Sequence, residues 1–244
     1  MIRFLIKIRQ KLLTENKLSK YLIYAIGEIV LIVIGIMIAL SINNANDVKN
    51  QRRKEHALLN EMHQNLKIDL KDLDYNIKES VKRIQANEII LKELQERMPM
   101  HDSLKPYYAN IIGNFQLSNN TAAWENLKSV GMDLISNDSL RNAISNLYTV
   151  KYRYLENVTK GVDDGHQWNT FYPQFLDLIN VEQFWIAAEP VNHEALLENR
   201  KFKETLKMNL FIRNYMLNQY KTIHKDVKFL LDQIERHIFT LKNY

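Results

Sequence analysis

Residues Tyr21–Ile42, YLIYAIGEIVLIVIGIMIALSI, form a 22-residue apolar run broken by a single charge, Glu28. At ~1.5 Å rise per residue a helix of this length covers roughly 33 Å, against a bilayer core of about 30 Å. Thirteen of these residues are Leu, Ile or Val; each favours insertion by roughly 0.3–0.6 kcal/mol, whereas one central acid opposes it by about 3 kcal/mol. The apolar sum wins even with Glu28 ionised, so the stretch reads as a transmembrane helix. A cleaved signal peptide is the rival reading. Its apolar region would be about 7–15 residues long and would end at a small-residue site. Here the run is longer and SINNAND is a poor match, so the span reads as a signal anchor.

The flanks set the expected orientation. Arg3, Lys7, Arg9, Lys11, Lys17 and Lys20 precede the span, opposed only by Glu15; Lys49, Arg52, Arg53 and Lys54 follow it, diluted by Asp47 and Glu55. The excess of basic residues predicts a cytoplasmic N-terminus, with the long trailing domain carried across. These first 20 residues hold the whole formal surplus of +5. A basic surplus confined beside a membrane points to anionic headgroups rather than nucleic acid. MIRFLIKIRQKLL alternates apolar and basic residues and suits a short interfacial amphipathic helix. With no cysteine in the chain, disulfides and thiolate chemistry are excluded.

Downstream, no proline occurs before Pro99 and no glycine between Gly35 and Gly113. Met62, Leu66, Leu70, Leu73, Ile77, Val81 and Ile84 recur at spacings of four, four and three, an eleven-residue period that suits straight helix pairing. Leu91, Leu94 and Met98 continue it. A long helix is therefore expected over 43–98, with 99–244 completing a helical domain. Thr121 is expected to cap TAAWENLKSV, which ends at Gly131, and Asn137 or Asp138 to cap the next helix. A loop or kink is expected around Gly161–Gly165. The last helix has the cleanest pattern: Leu217, Tyr220, His224, Val227, Leu231, Ile234, Ile238 and Leu241 alternate by three and four, the stripe of a partner-packed helix. No strand-like stretch reaches comparable strength, and the predicted architecture is all-α. It has a cytoplasmic segment 1–20, a transmembrane helix 21–42, a stalk helix 43–98 and a remainder 99–244, with long first and last helices antiparallel in an extracytoplasmic bundle.

Candidate chemistry is sparse. His193-Glu194 begins a zinc-protease pattern, but Leu197 stands at the position where the second histidine belongs. His56 and His63 read as solvated histidines on a charged helix, and His224 as a hydrogen-bonded core residue. Asp163, Asp164 and His166 place two carboxylates beside an imidazole; a divalent ion is one use, a polar turn the plainer one. Trp168, Phe171, Tyr172 and Trp185 either cap the bundle or line a ligand pocket. No phosphate loop or nucleophile elbow is present, and neither cofactor nor metal is expected. Within the span, Tyr21, Glu28, Gly35 and Ala39 fall within about 40° on a helical wheel. Small residues permit close helix approach, and an intramembrane acid normally faces protein or water. This face predicts self-association or docking to another membrane protein; the alternative is that Glu28 snorkels to the headgroups unpartnered.

Glu15–Asn44, ENKLSKYLIYAIGEIVLIVIGIMIALSINN, resembles the N-terminal signature of an uncharacterised bacterial family of single-span membrane proteins, domain of unknown function 6090. The matching positions are Gly27, Glu28, Ala39, Leu40, Asn43 and Asn44; Glu125–Arg141 resembles the family more loosely. Ala45 departs from it, standing where many members place an interfacial tryptophan. The resemblance implies a Gram-negative inner-membrane protein with a periplasmic helical domain, and supplies no activity. The expectation is a non-enzymatic envelope scaffold, accessory subunit or modulator in contact with the bilayer. A small-ligand sensor signalling through a membrane partner and a metal-dependent hydrolase are the alternatives.

Overall fold

The computed structural model describes residues 18–242, so the amphipathic reading of the first residues and the side chain of Tyr21 lie outside the described set. The chain divides into two compact units, 1–54 and 55–244. One helix, α1 (Leu18–Glu96), begins in the first and continues into the second. In the first unit it carries an 18-residue window of mean hydropathy 2.7, none of it buried. The large apolar side chains described from Leu22 to Ile42 are exposed, and the stretch is long and apolar enough to be a candidate membrane span.

The second unit is mostly helical. The unbroken run predicted to 98 ends at Glu96: Arg97 takes a positive φ of 54°, and Met98 N–H bonds back to Glu93 O at 3.1 Å. This is a Schellman closure made without glycine. After a short α2 (Lys105–Tyr108) and an extended segment comes α3 (Ala122–Val130). Its cap differs in detail from expectation. Thr121 occupies the N-cap position without a side-chain bond, and Asn120 Oδ1 accepts from Ala122 N–H instead. Asn137 caps α4 (Asp138–Asn146) through Leu140 N–H as predicted.

The kink expected at Gly161–Gly165 is absent. A helical path runs from α4 through α5 (Tyr152–Val158) to α6 (Tyr172–Leu178) by way of π-helical turns at Leu147–Lys151, Thr159–Asp164 and Gln167–Phe171. Both glycines stay helical because Asp163, Gln167 and Phe171, all buried, anchor the turns from the core side. Two short strands stand among the helices. β1 (Ile179–Gln183) and β2 (Ala187–Pro190) form an antiparallel hairpin. INVEQ and AAEP lack strong alternation; burial of Ile179 and Ala188 holds them. The chain closes with α7 (His193–Glu198) and α8 (Arg200–Lys242).

The α8 stripe buries Leu217, Tyr220, Val227, Leu231, Ile234 and Ile238 as expected. On α1, Met62, Leu66, Leu73 and Ile84 are buried but Val81 is exposed. The reason lies in the core's division. One apolar cluster joins Leu58–Leu73 to Trp124, α4, α5 and Ile212–Ile238. A second joins Ala86, Ile90 and Leu94 to Tyr108, Phe171, Phe175, the hairpin, Phe202 and Leu206. Between them on α1 the buried side chains are polar apart from Ile84: Asn76, Ser80 and Arg83, with Asn87 just past Ala86. Cross-contacts order the two long helices. Glu55 meets His237 (2.8 Å), His63 meets Glu235 (2.6 Å), Asp74 meets His224 (3.0 Å) and Asn87 meets Asn209 (2.8 Å). His63 is thus a buried, carboxylate-paired residue rather than a solvated one.

Candidate functional site

The polar layer exists to hold an extended segment, Asn110–Asn120, against the helices. An extended chain without a sheet partner must find hydrogen bonds elsewhere, and here side chains supply them. Arg83 donates to Asn110 Oδ1. Asn87 and Asn209 both donate to Ile111 O, at 3.0 and 2.9 Å. Gly113 N–H donates to Gln167 Oε1 and its carbonyl accepts from Arg213. Tyr220 donates to Phe115 O, and Asn76 to Gln116 O at 3.1 Å. Farther along, Asp72 accepts from Ser118 N–H and Asp69 from Asn120 N–H, each at 2.8 Å. The α1 contributors at 69, 72, 76, 83 and 87 follow helical spacing, so one face of α1 grips the whole strap.

Gly113 is required where it stands. Its φ is +101°, and a Cβ there would lie 2.7 Å from Trp185 Cη2. Trp185, itself at φ 66°, lays its indole 4.3 Å from the Arg83 guanidinium, with Phe115 on the same group at 5.4 Å. Phe184 and Ile186 flank it, exposed.

The far end of the strap walls a cleft of about 520 Å³. Gln116, Leu117, Asn119 and Thr121 form one side, Trp124, Glu125 and Lys128 of α3 another. The third side comes from the helical path: Tyr148 and Thr149 of one π turn, Tyr152, Arg153 and Glu156 of α5, Thr159 and Lys160 of the next π turn. Such turns are frequent at functional sites. Trp124 and Tyr148 stack face to face, centroids 5.1 Å apart and planes within 1°. Behind Tyr152 lies Asp69, which accepts from the Tyr152 hydroxyl at 2.6 Å. Burial pushes the Asp69 carboxyl up to about 6 against these two hydrogen bonds, with Asp72 adding to the rise. Burial likewise raises Tyr148 and Tyr152.

The residues singled out from sequence are distributed otherwise. Glu28, Gly35 and Ala39 are all exposed on α1, and no atom lies within 4 Å of a Cβ built on Gly35. Asp163, Asp164 and His166 do not converge on a cation. Asp163 is fully buried in an ion pair with Arg213, Asp164 accepts from Asn114 and from Gln116 (2.9 Å), and His166 stacks on Phe171 at 6.0 Å. Burial lowers the His166 pKa, and burial above all pulls Arg213 down to about 10. The proposed aromatic pocket is split. Phe171 is core, Trp168 stacks on Tyr172 at 5.0 Å in an exposed position, and Trp185 sits on Arg83. None of the four lines the cleft. The cleft residues carried no sequence signal as a set; only the Asn/Ser-rich LSNNT and the aromatic spacing of Trp124, Tyr148 and Tyr152 hinted at them.

No curated protein and no solved structure matches the chain. A model of DUF6090, described as a family of unknown function, matches residues 28–166. That stretch takes in most of the span, the second-unit part of α1, the strap and every residue of the cleft. With more than half of its 244 residues inside the match, the chain belongs to the DUF6090 family.

Proposed function

We propose that this protein is a non-enzymatic, membrane-anchored envelope protein that works through protein contacts, as a scaffold, accessory subunit or modulator. The observation carrying this reading is the exposed apolar span at one end of α1, followed by a separate unit with its own core. In this reading the N-terminus is cytoplasmic and the helical unit periplasmic in a bacterial inner membrane, as the basic residues before the span favour. The long first and last helices pack antiparallel, supported by the descending order of their cross-contacts from Glu55–His237 to Asn87–Asn209. In this reading a signal from the helical unit passes through a partner in the membrane. Self-association or docking of another membrane protein would use the Tyr21, Glu28, Gly35 and Ala39 face. Gentle purification of the full chain from its native membrane, beside Glu28→Leu and Gly35→Ile variants, tests this. The reading expects a partner that both variants lose; equal recovery in all three removes the span as the recognition element.

A second reading, a small-ligand sensor, is favoured by one observation: the cleft beside Trp124 and Tyr148, placed away from the Trp168–Trp185 segment first suspected. A thermal-shift screen of the full chain in detergent separates the two, since a pure scaffold gives no hits.

A further inference from the structure

We propose that the cleft between the strap and α5 binds a hydroxylated organic monoanion of the sugar-acid class; this rests on the sensor reading and gives it a ligand.

Three features of the lining set the chemistry. The first is charge. Three cations and two carboxylates line the cleft. Both carboxylates are already neutralised along their own helices, Glu125 by Lys128 at 2.7 Å and Glu156 by Lys160 at 2.5 Å. Arg153 remains, exposed and without a close ion pair or hydrogen bond to another described residue, its charge adding only a weaker attraction to Glu156. A single surplus guanidinium in a cleft pairs best with one carboxylate, which it can hold through two parallel bonds. The second is neutral polarity. Gln116, Asn119, Thr121, Thr149 and Thr159 bring amides and hydroxyls from three separate segments to one space. Thr149 and Thr159 donate to Ser145 O and Leu155 O at 2.8 Å and Gln116 Nε2 to Asp164 at 2.9 Å, so their oxygens are left to accept, which suits the donating hydroxyl groups of a ligand rather than a bare hydrocarbon ring. Thr121 has its hydroxyl uncommitted to the cap it would ordinarily make. The third is an apolar edge from Leu117, Trp124 and Leu155, matching the C–H face of a saturated ring. A volume of about 520 Å³ accommodates one such ring with its substituents.

The walls are also fixed in advance. Asp69 holds Asn120 N–H on the strap and the Tyr152 hydroxyl on α5 at once, so one buried side chain sets the distance across the cleft. A site already ordered gives up less entropy on binding. The paired π turns at 147–151 and 159–164 bring Thr149 and Thr159 to the lining from the same helix path, each hydroxyl held by a bond to the carbonyl four residues earlier.

The test uses the full chain in detergent micelles, with D-glucuronate as probe, D-glucose as the ring without the charge, and benzoate as the charge without the hydroxyls. Calorimetric titration and thermal unfolding are read together. Glucuronate should bind and raise the melting temperature, glucose and benzoate should bind at least tenfold more weakly, and Arg153→Ala should weaken glucuronate at least tenfold without lowering the ligand-free melting temperature. Arg153→Lys should recover part of the loss. Binding of glucose or benzoate as tight as glucuronate, or glucuronate binding indifferent to Arg153→Ala, overturns the class while leaving a ligand-receiving cleft. If glucuronate shows no heat and no shift at 10 mM while the wider screen yields ligands, the class alone fails. If that screen is also empty, the sensor reading fails with it.

Discussion

Asp69 is ionised at neutral pH only at a cost, because burial raises its carboxyl from 3.8 to about 6. A group that holds its proton more tightly folded than unfolded favours the folded state at low pH. That contribution is complete below the unfolded value near 4 and is lost as pH rises through about 6. The size, from about two pH units, is roughly 2–3 kcal/mol. Asp69→Asn is therefore expected to flatten the fall in stability between pH 4 and 6, and to match or exceed the native chain at pH 7. Urea titrations across that window check this, and an unchanged slope would assign it to other groups. Arg213 and Asp163 present the opposite case, a fully buried ion pair. Removing one partner strands the other charge away from water, at about 3–5 kcal/mol. Arg213→Met alone should lose that much, while the Arg213→Met, Asp163→Leu double variant should recover at least half of it. Equal losses in single and double variants would mean that the Arg213 bond to Gly113 O, not the charge pair, carries the effect.

At the level of elements, legibility in the sequence followed from whether a local period existed. The α8 stripe from Leu217 to Ile238 was readable because burial against one neighbour imposes alternate spacings of three and four. The strap was not, since it has no period of its own and is held by bonds to side chains 24–105 residues away, as in Asn87–Ile111 and Tyr220–Phe115. Gly161 and Gly165 misled for a related reason: glycine lowers helix propensity, but tertiary anchoring of Asp163 and Gln167 overrides it. The hairpin was missed because Trp185, a residue ill suited to positive φ, occupies its turn. Two glycines distinguish backbone strain from steric exclusion. Gly113 and Gly131 share φ values of 101° and 105°, but only Gly113 faces a ring within 3 Å of a built Cβ. Gly131→Ala should cost about 1–2 kcal/mol for the left-handed backbone alone. Gly113→Ala should cost about 1–3 kcal/mol more, because the Trp185 ring must move. It should also raise hydrogen exchange in β1 and β2; equal costs at the two sites would show that the indole yields freely.

For the whole molecule, the decisive fact is where buried side chains begin. From Leu22 to Lys54 the described side chains are exposed, apart from partly covered Ala25, whereas Glu55 is buried and bonded to Ser136 and His237. The two apolar clusters, with the polar layer that ties them to the strap, draw on residues 58–238. Their contacts owe nothing to the span. Cutting before residue 50 therefore removes the exposed apolar stretch without opening a cavity, and the free energy of the helical unit should survive the cut. The fragment 50–244 is expected to be soluble without detergent and to melt cooperatively within a few degrees of the full chain in micelles, with the full chain alone resisting alkaline extraction from membranes. Circular dichroism melts, sedimentation velocity and a carbonate wash measure these three properties. A fragment that aggregates or melts gradually would show that α1 needs the bilayer to hold its register, and would make anchoring part of the fold rather than an attachment to it.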